Sequence, residues 1–320
     1  AGWAMRHTTV DMRFSRLWSE GEDARGFCLI AGTTASGKSD LALALAEATN
    51  GVVVNADSVQ LYQSLPILTA QPTAADRARA EHRLYGILAD AETSSVARWL
   101  ELAAAAVRAV QPRLAIVTGG TGFYLEALLR GLPDVPATPP PLRRMSEARL
   151  EALGQEAFAR ELAGRDPVLA ARGLPVDRQR LLRAWEVLEL TGRSIASFGD
   201  ADRRRADLPA FRGGVALVPP PAATATRIER RFDRMVAAGV VEEVAAWREG
   251  PEAAASPLAK ADGVREIAGH LDGRWPFAEA RRATLVKVRR YAKRQRTWLR
   301  HRLPELEVVD ATGEALSAAG

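Results

Sequence analysis

The run Gly32-Thr33-Thr34-Ala35-Ser36-Gly37-Lys38-Ser39 fits G-x-x-x-x-G-K-[ST] at every fixed position. The chemistry of that spacing is anion binding. Glycine lets the backbone curl until successive N–H groups point at one anion. The first turn of the following helix adds partial positive charge, and Lys38 adds a full one. The Ser39 hydroxyl is placed to ligate Mg²⁺. These residues mark a diphosphate or triphosphate site without naming a reaction, because nucleoside kinases, ATPases and transferases all use such a loop.

Two further segments could act beside it. In Asn55-Ala56-Asp57-Ser58-Val59-Gln60-Leu61-Tyr62 the Asp57 carboxylate follows an apolar run, and ligands of open α/β sheets bind outside the carboxyl ends of strands. Asp57 therefore either acts on a substrate or Mg²⁺, or caps the next helix. Gly119-Gly120-Thr121-Gly122 follows a third apolar run. It permits close backbone approach to a ligand, and Thr121 is open between ligand contact and helix capping.

These loops need a frame, and the hydrophobic pattern supplies one. Short apolar runs at 26–32, 51–55 and 113–118 read as strands, and helical spacing follows at 38–48, 92–110 and 121–129. Alternation of this kind implies an α/β fold, a parallel sheet flanked by helices. The proline-dense stretch 132–142 cannot continue a helix. Residues 143–196 are charged, helical in pattern and strand-free. The expected organisation is a loose tail at 1–25, a core of 26–131 and 205–320, and an all-helical insertion at 132–204. Strand character returns at 214–218. Helices are expected at 224–238, 240–249, 262–271 and 276–303, with a last strand at 306–309.

Composition narrows the function classes. The 320 residues are 47% hydrophobic and 26% charged, which is ordinary for a chain that buries a core. Cys28 is the single cysteine, so intrachain disulfides and cysteine zinc sites are excluded, as suits a reducing compartment. No run of 18 apolar residues is present, so no membrane-spanning helix is expected. Net charge is +5, yet 280–302 holds ten Lys/Arg and no acid, leaving 34 basic against 39 acidic residues elsewhere. A local patch of that density points to a polyanion.

Taken together, GTTASGKS, ADSVQLY and GGTGFY, with Asp177-Arg178-Gln179-Arg180-Leu181-Leu182-Arg183-Ala184 and Tyr291-Ala292-Lys293-Arg294-Gln295-Arg296-Thr297-Trp298, resemble the tRNA dimethylallyltransferase (tRNA isopentenyltransferase) family of bacterial type over about residues 29–300. The sequence departs from the family pattern at Thr33, Leu68, Gln71, Arg83, Gly173, Val176 and Val264. The resemblance implies a P-loop NTPase-like core and transfer of a dimethylallyl group from dimethylallyl diphosphate to N6 of the adenine 3′ of the anticodon. It implies Asp57 as general base and Thr121 as a hydrogen-bond partner near the reacting atoms. Lys38 and Ser39 with Mg²⁺ would stabilise the leaving diphosphate. Arg227 and Arg231 either clamp that diphosphate or form a solvated helix face.

For tRNA, the resemblance implies contacts by Asp57, Ser58, Val59 and Gln60, by Gln179, Arg180, Leu181, Leu182 and Arg183, and by the basic helix, with Arg290, Lys293 and Arg294 foremost. Tyr291 and Trp298 lie seven apart, a spacing expected of a buried helical stripe rather than of base-stacking platforms. The expectation is a cytoplasmic, monomeric enzyme. The alternatives are an adenylate isopentenyltransferase acting on free adenine nucleotides, which needs neither insertion nor basic helix, another P-loop kinase or ATPase, and an RNA-binding module with a relic loop.

Overall fold

The computed structural model describes residues 26–199 and 203–310; the expected tail at 1–25 lies outside them. The described chain divides into two compact units, one running to Leu129 and resuming at Ala206, the other Arg130–Arg205.

The first unit is built on β1 (Phe27–Gly32), whose six residues are all buried. A strand apolar on both faces belongs in the middle of a parallel sheet, and β1 is flanked there by two parallel neighbours. After it come α1 (Lys38–Thr49), β2 (Val52–Asn55), α2 (Pro66–Thr69), α3 (Ala74–Arg79) and β3 (Glu81–Arg83). Then follow α4 (Val96–Ala109), β4 (Ala115–Gly119) and α5 (Gly122–Arg130). The six-stranded sheet has the order β3-β2-β4-β1-β7-β8, with β7 (Phe211–Leu217) and β8 (Glu307–Val309), and every pairing is parallel. Because β1, β4 and β2 are adjacent and parallel, the loops leaving all three open at one edge of the sheet. The C-terminal helices are α10 (Pro221–Ala237), α11 (Val240–Arg248), α12 (Val264–Leu271) and α13 (Phe277–Arg302).

The second unit carries its own core. Four helices, α6 (Pro140–Leu153), α7 (Gln155–Arg165), α8 (Pro167–Arg172) and α9 (Arg178–Thr191), enclose Leu150, Phe158, Leu162, Leu181, Leu182 and Trp185. A two-residue antiparallel pair, β5 (Leu132–Pro133) with β6 (Arg203–Arg204), joins its ends. Buried Glu186 forms an ion pair with Arg143 and accepts from its Nη2 at 3.0 Å and from the Thr138 hydroxyl at 2.8 Å.

Three expectations need correction. Helix α4 starts at Val96, not at 92, because the Ser95 side chain accepts from the Arg98 N–H and caps it there. The proline run does not end short of the helix; Pro140 and Pro141 occupy its first turn, where a missing N–H has no consequence. Strand β3 stands where no strand is expected. It is a half-exposed edge of three polar residues, and an edge strand carries no apolar alternation.

Candidate active site

The phosphate loop leaves β1 and enters α1 through two left-handed residues, Ala35 (φ 57°) and Gly37 (φ 90°). Alternating backbone handedness turns successive N–H groups to one side. Gly32 admits no side chain, since a Cβ there would lie 2.4 Å from Ser36 Oγ and 3.0 Å from the Leu217 carbonyl. Lys38 Nζ donates to the Thr33 carbonyl at 3.3 Å. Burial lowers its pKa to about 8, against the opposing pull of the Asp57 charge. Ser39 is exposed at the start of α1.

The second loop is organised by Asn55, fully buried at the end of β2. Its Oδ1 accepts from the Asp57 N–H at 2.8 Å, and its Nδ2 donates to the carbonyls of Asp57 (2.9 Å) and Leu84 (3.0 Å). Trp99 Nε1 donates to the Asn55 carbonyl at 3.0 Å. Asp57 Oδ1 in turn accepts from the Val59 N–H at 3.2 Å. Asp57 thus does cap the short turn Val59–Leu61, with one carboxylate oxygen. Its charge is also felt by Lys38 and Arg231 across the mouth of the sheet, so capping does not exhaust it.

The third loop packs directly on the second. A Cβ on Gly119 would lie 2.1 Å from the Ala56 carbonyl oxygen, so only glycine fits. Thr121 Oγ1 accepts from the Ser58 N–H at 3.1 Å. Thr121 thereby orients the Asp57 loop, a role beside the two its type suggested.

Arg227 and Arg231, on α10, reach the phosphate loop. Arg227 donates to the Ser36 carbonyl at 3.2 Å and Arg231 to Thr34 Oγ1 at 3.4 Å. Burial lowers the Arg231 pKa. The solvated-face reading of this pair does not hold. The loop therefore faces Lys38, Arg231 and the Arg227 guanidinium, with the Asp57 carboxylate opposite.

The IPP transferase family model matches residues 60–302, and the isopentenyl transferase model matches 26–93. A tRNA dimethylallyltransferase of Methylocella silvestris is 46% identical over 86% of this chain and 92% of its own. The chain belongs to the tRNA dimethylallyltransferase family.

Another member, from Rhodopseudomonas palustris, is 47% identical over 88% of this chain and 90% of its own. Among solved structures, a tRNA isopentenylpyrophosphate transferase of Bacillus halodurans superposes with TM-score 0.62 at 30% identity, covering 89% of this chain and 90% of that one. A eukaryotic dimethylallyltransferase acting on tRNA superposes with TM-score 0.76 at 26% identity, over 92% of this chain and 75% of that one.

Family membership directs attention to the outer residues. Val59 and Gln60 are half-buried in the second loop, and Gln60 Nε2 is taken by the Thr69 (2.9 Å) and Ala70 (2.8 Å) carbonyls. On α9, Gln179 and Arg180 are exposed. Leu181 and Leu182, at 0% and 5% exposure, correct the expectation of contact there; both are core residues of the helical unit. Arg183 is half-buried and donates to Thr138 and to the Pro136 carbonyl (2.8 Å), so its head group ties the proline segment to α9.

The ten basic residues of α13 also need correction. The stretch 280–302 has no acid of its own, but Glu279 in the first turn of the helix and acids of other segments supply partners. Arg281 pairs with Asp233, Arg282 with Glu279, Lys287 with Glu266, Arg289 with Glu229, Arg300 with Asp310 and Arg302 with Glu126. Arg296 donates to the Pro219 carbonyl. Arg290, Lys293 and Arg294 remain exposed and outside any ion pair among the described residues. Tyr291 and Trp298, expected to be buried, are half-buried; the Tyr291 side chain meets Thr121 and Gln295, and the Trp298 ring lies edge-on to that of Phe123. Trp298 lies over Gly122, where a Cβ would come within 2.3 Å of it.

Two residues that sequence reasoning did not assign to the site support it. Buried Gln295 of α13 bonds both phosphate and third loops. The Glu243 carboxylate accepts from the N–H groups of Ile67 (2.7 Å) and Leu68 (2.9 Å) and so caps α2. No local spacing signals either contact, since the partners lie 175 or more residues apart.

Mg²⁺ fits this donor set in one way. Among the described residues no group of three or more His, Cys, Asp or Glu is placed to hold a metal ion. A Mg²⁺ bound at the loop would take its oxygens from Ser39, the diphosphate and water, the mixed coordination this ion prefers. No helix among the described residues is long and apolar enough to cross a membrane.

Proposed function

We propose that the protein transfers the dimethylallyl group of dimethylallyl diphosphate to N6 of the adenine 3′ of the anticodon in tRNA, releasing diphosphate. The adenine amine attacks the allylic carbon as the carbon–oxygen bond to diphosphate breaks, and the amine proton passes to the Asp57 carboxylate. An exocyclic adenine amine is a weak nucleophile because its lone pair is delocalised into the ring, so a positioned base is needed. The leaving diphosphate gathers charge, which the loop N–H groups, Lys38, Arg227 and Arg231 would stabilise. Mg²⁺, held at the Ser39 hydroxyl, would supply further positive charge to the same oxygens. Thr121 keeps the Asp57 loop seated. The adenine leaves its stack to reach the carboxylate, which an anticodon loop permits because its bases are single-stranded. The partners on this reading are the tRNA anticodon loop and dimethylallyl diphosphate.

The observation that carries the reading is the Asp57 carboxylate in the loop after β2, close enough for its charge to act on the phosphate-loop cations Lys38 and Arg231. That pairs a base with a leaving-group site. The exposed set Arg290, Lys293 and Arg294, together with the helical unit, favours a polyanionic acceptor over a free nucleotide. The test is a filter assay with radiolabelled dimethylallyl diphosphate, Mg²⁺ and unmodified tRNA. Label should enter tRNA with the wild type and fail to enter with Asp57→Ala. Label in free adenine nucleotides alone would overturn the acceptor, and ATP turnover without label would overturn the reaction.

A further inference from the structure

Gln295 has the geometry of a clip. Its side chain is 4% exposed, and both ends of its amide are used. Oε1 accepts from the Thr34 N–H of the phosphate loop at 2.8 Å, and Nε2 donates to the Gly120 carbonyl of the third loop at 2.9 Å. Both partners are backbone groups of fixed polarity, so the amide can sit only one way round. The clip also explains a glycine, because a Cβ on Gly120 would lie 2.1 Å from Gln295 Nε2. One helical turn before it, the Tyr291 side chain interacts with both Thr121 and Gln295, and Thr121 holds the Ser58 N–H. A single face of α13 therefore touches the loops that carry Lys38 and Thr121, and reaches the Asp57 loop through Thr121, while Lys293 and Arg294 are exposed.

We propose that Gln295 is a positioning residue that sets the phosphate loop against the third loop, and thereby fixes the leaving group relative to the base. This rests on the reaction proposed above. The Thr34 N–H is directed to Gln295 rather than toward an anion, so the loop is shaped from outside itself, by a residue 261 positions away. Displacing a reacting group by about 1 Å can lower turnover by about 10²-fold. Loss of the clip should therefore act on turnover and diphosphate affinity and spare tRNA affinity.

The experiment compares wild type with Gln295→Met, which keeps length and helix propensity but neither bond, and Gln295→Glu. The glutamate can still accept from Thr34 but sets a negative charge against the Gly120 carbonyl and beside the phosphate site. Thermal melting checks folding, calorimetry measures binding of inorganic diphosphate with Mg²⁺, and filter binding measures tRNA affinity. Expected are folded variants, kcat lower by about 10²-fold in Gln295→Met, weakened diphosphate binding that is worst in Gln295→Glu, and unchanged tRNA affinity. Wild-type kcat and diphosphate affinity in a folded Gln295→Met would overturn the proposal. So would a fall in tRNA affinity parallel to that in kcat, which marks general structural damage. If Gln295→Met does not fold, Gln295→Glu decides by the same readings. If the wild type transfers no prenyl group, the reaction is misassigned, and diphosphate affinity alone tests the clip.

Discussion

A lysine in a phosphate loop acts through its charge, and here burial brings that charge near its limit. Lys38 has its pKa lowered to about 8, so the free protein loses the proton as pH rises through 8. A bound diphosphate holds the proton on, so binding and protonation are linked. Diphosphate affinity should be level below pH 8 and fall above it, approaching tenfold per pH unit. Titration calorimetry across pH 7 to 9.5 with Lys38→Met as control checks this. The control should bind weakly and show no such slope, and an equal slope in both would place the titrating group elsewhere. Asp57 makes a different prediction at the same scale. One of its oxygens caps the turn at Val59, a bond that asparagine can keep. Asp57→Asn should therefore fold normally and bind diphosphate, yet lose about 10²–10⁴-fold in transfer rate, the usual contribution of a positioned base. A retained rate would reduce Asp57 to its capping role.

Helix α13 shows how an element divides its labour. Its inner face holds Gln295 and Tyr291 against the loops, and most of its cations are neutralised by carboxylates from α10, α12 and neighbouring segments. Arg296 is held by the Pro219 carbonyl, so among the described residues Arg290, Lys293 and Arg294 are the members of the ten left exposed and outside an ion pair. Neutralising these three to glutamine should lower tRNA affinity and flatten its salt dependence, by about 0.7 in log–log slope for each tRNA phosphate that the helix no longer neutralises. Neutralising the paired Arg281 and Arg289 should change the slope little. Equal effects from both sets would mean that the ion pairs open on binding. The same helix marks the limit of what sequence discloses. The phosphate loop is legible because its chemistry is local: glycine, lysine and serine act within eight residues. Strands β1, β2 and β4 are legible because both of their faces are buried. A count of cations on α13 cannot reveal their partners, which come from distant segments, nor can sequence separate Leu181 and Leu182 from the exposed residues beside them on the strength of a motif. The Gln295 and Glu243 contacts depend on the completed fold and have no spacing at all.

At the scale of the whole molecule, the helical unit has a core of its own, centred on Phe158 at 0% exposure with its ring 5.8 Å from that of Trp185. The loops that hold the phosphate site belong wholly to the other unit. Two cores in one chain make separable stabilities the natural outcome. Phe158→Ala removes the ring from a fully buried site, at a cost of about 3–5 kcal/mol. A domain's whole stability is only about 5–15 kcal/mol, so the helical unit should melt early while the sheet unit does not. Scanning calorimetry of the variant should show two transitions, with the later one near the wild-type temperature. Diphosphate affinity should be unchanged below the first transition and between the two, because Lys38, Arg227 and Arg231 are untouched. Transfer to tRNA should collapse at the first transition if the helical unit helps hold the acceptor. A single transition, with diphosphate binding lost in step, would mean that the two cores unfold as one and that the phosphate site depends on both.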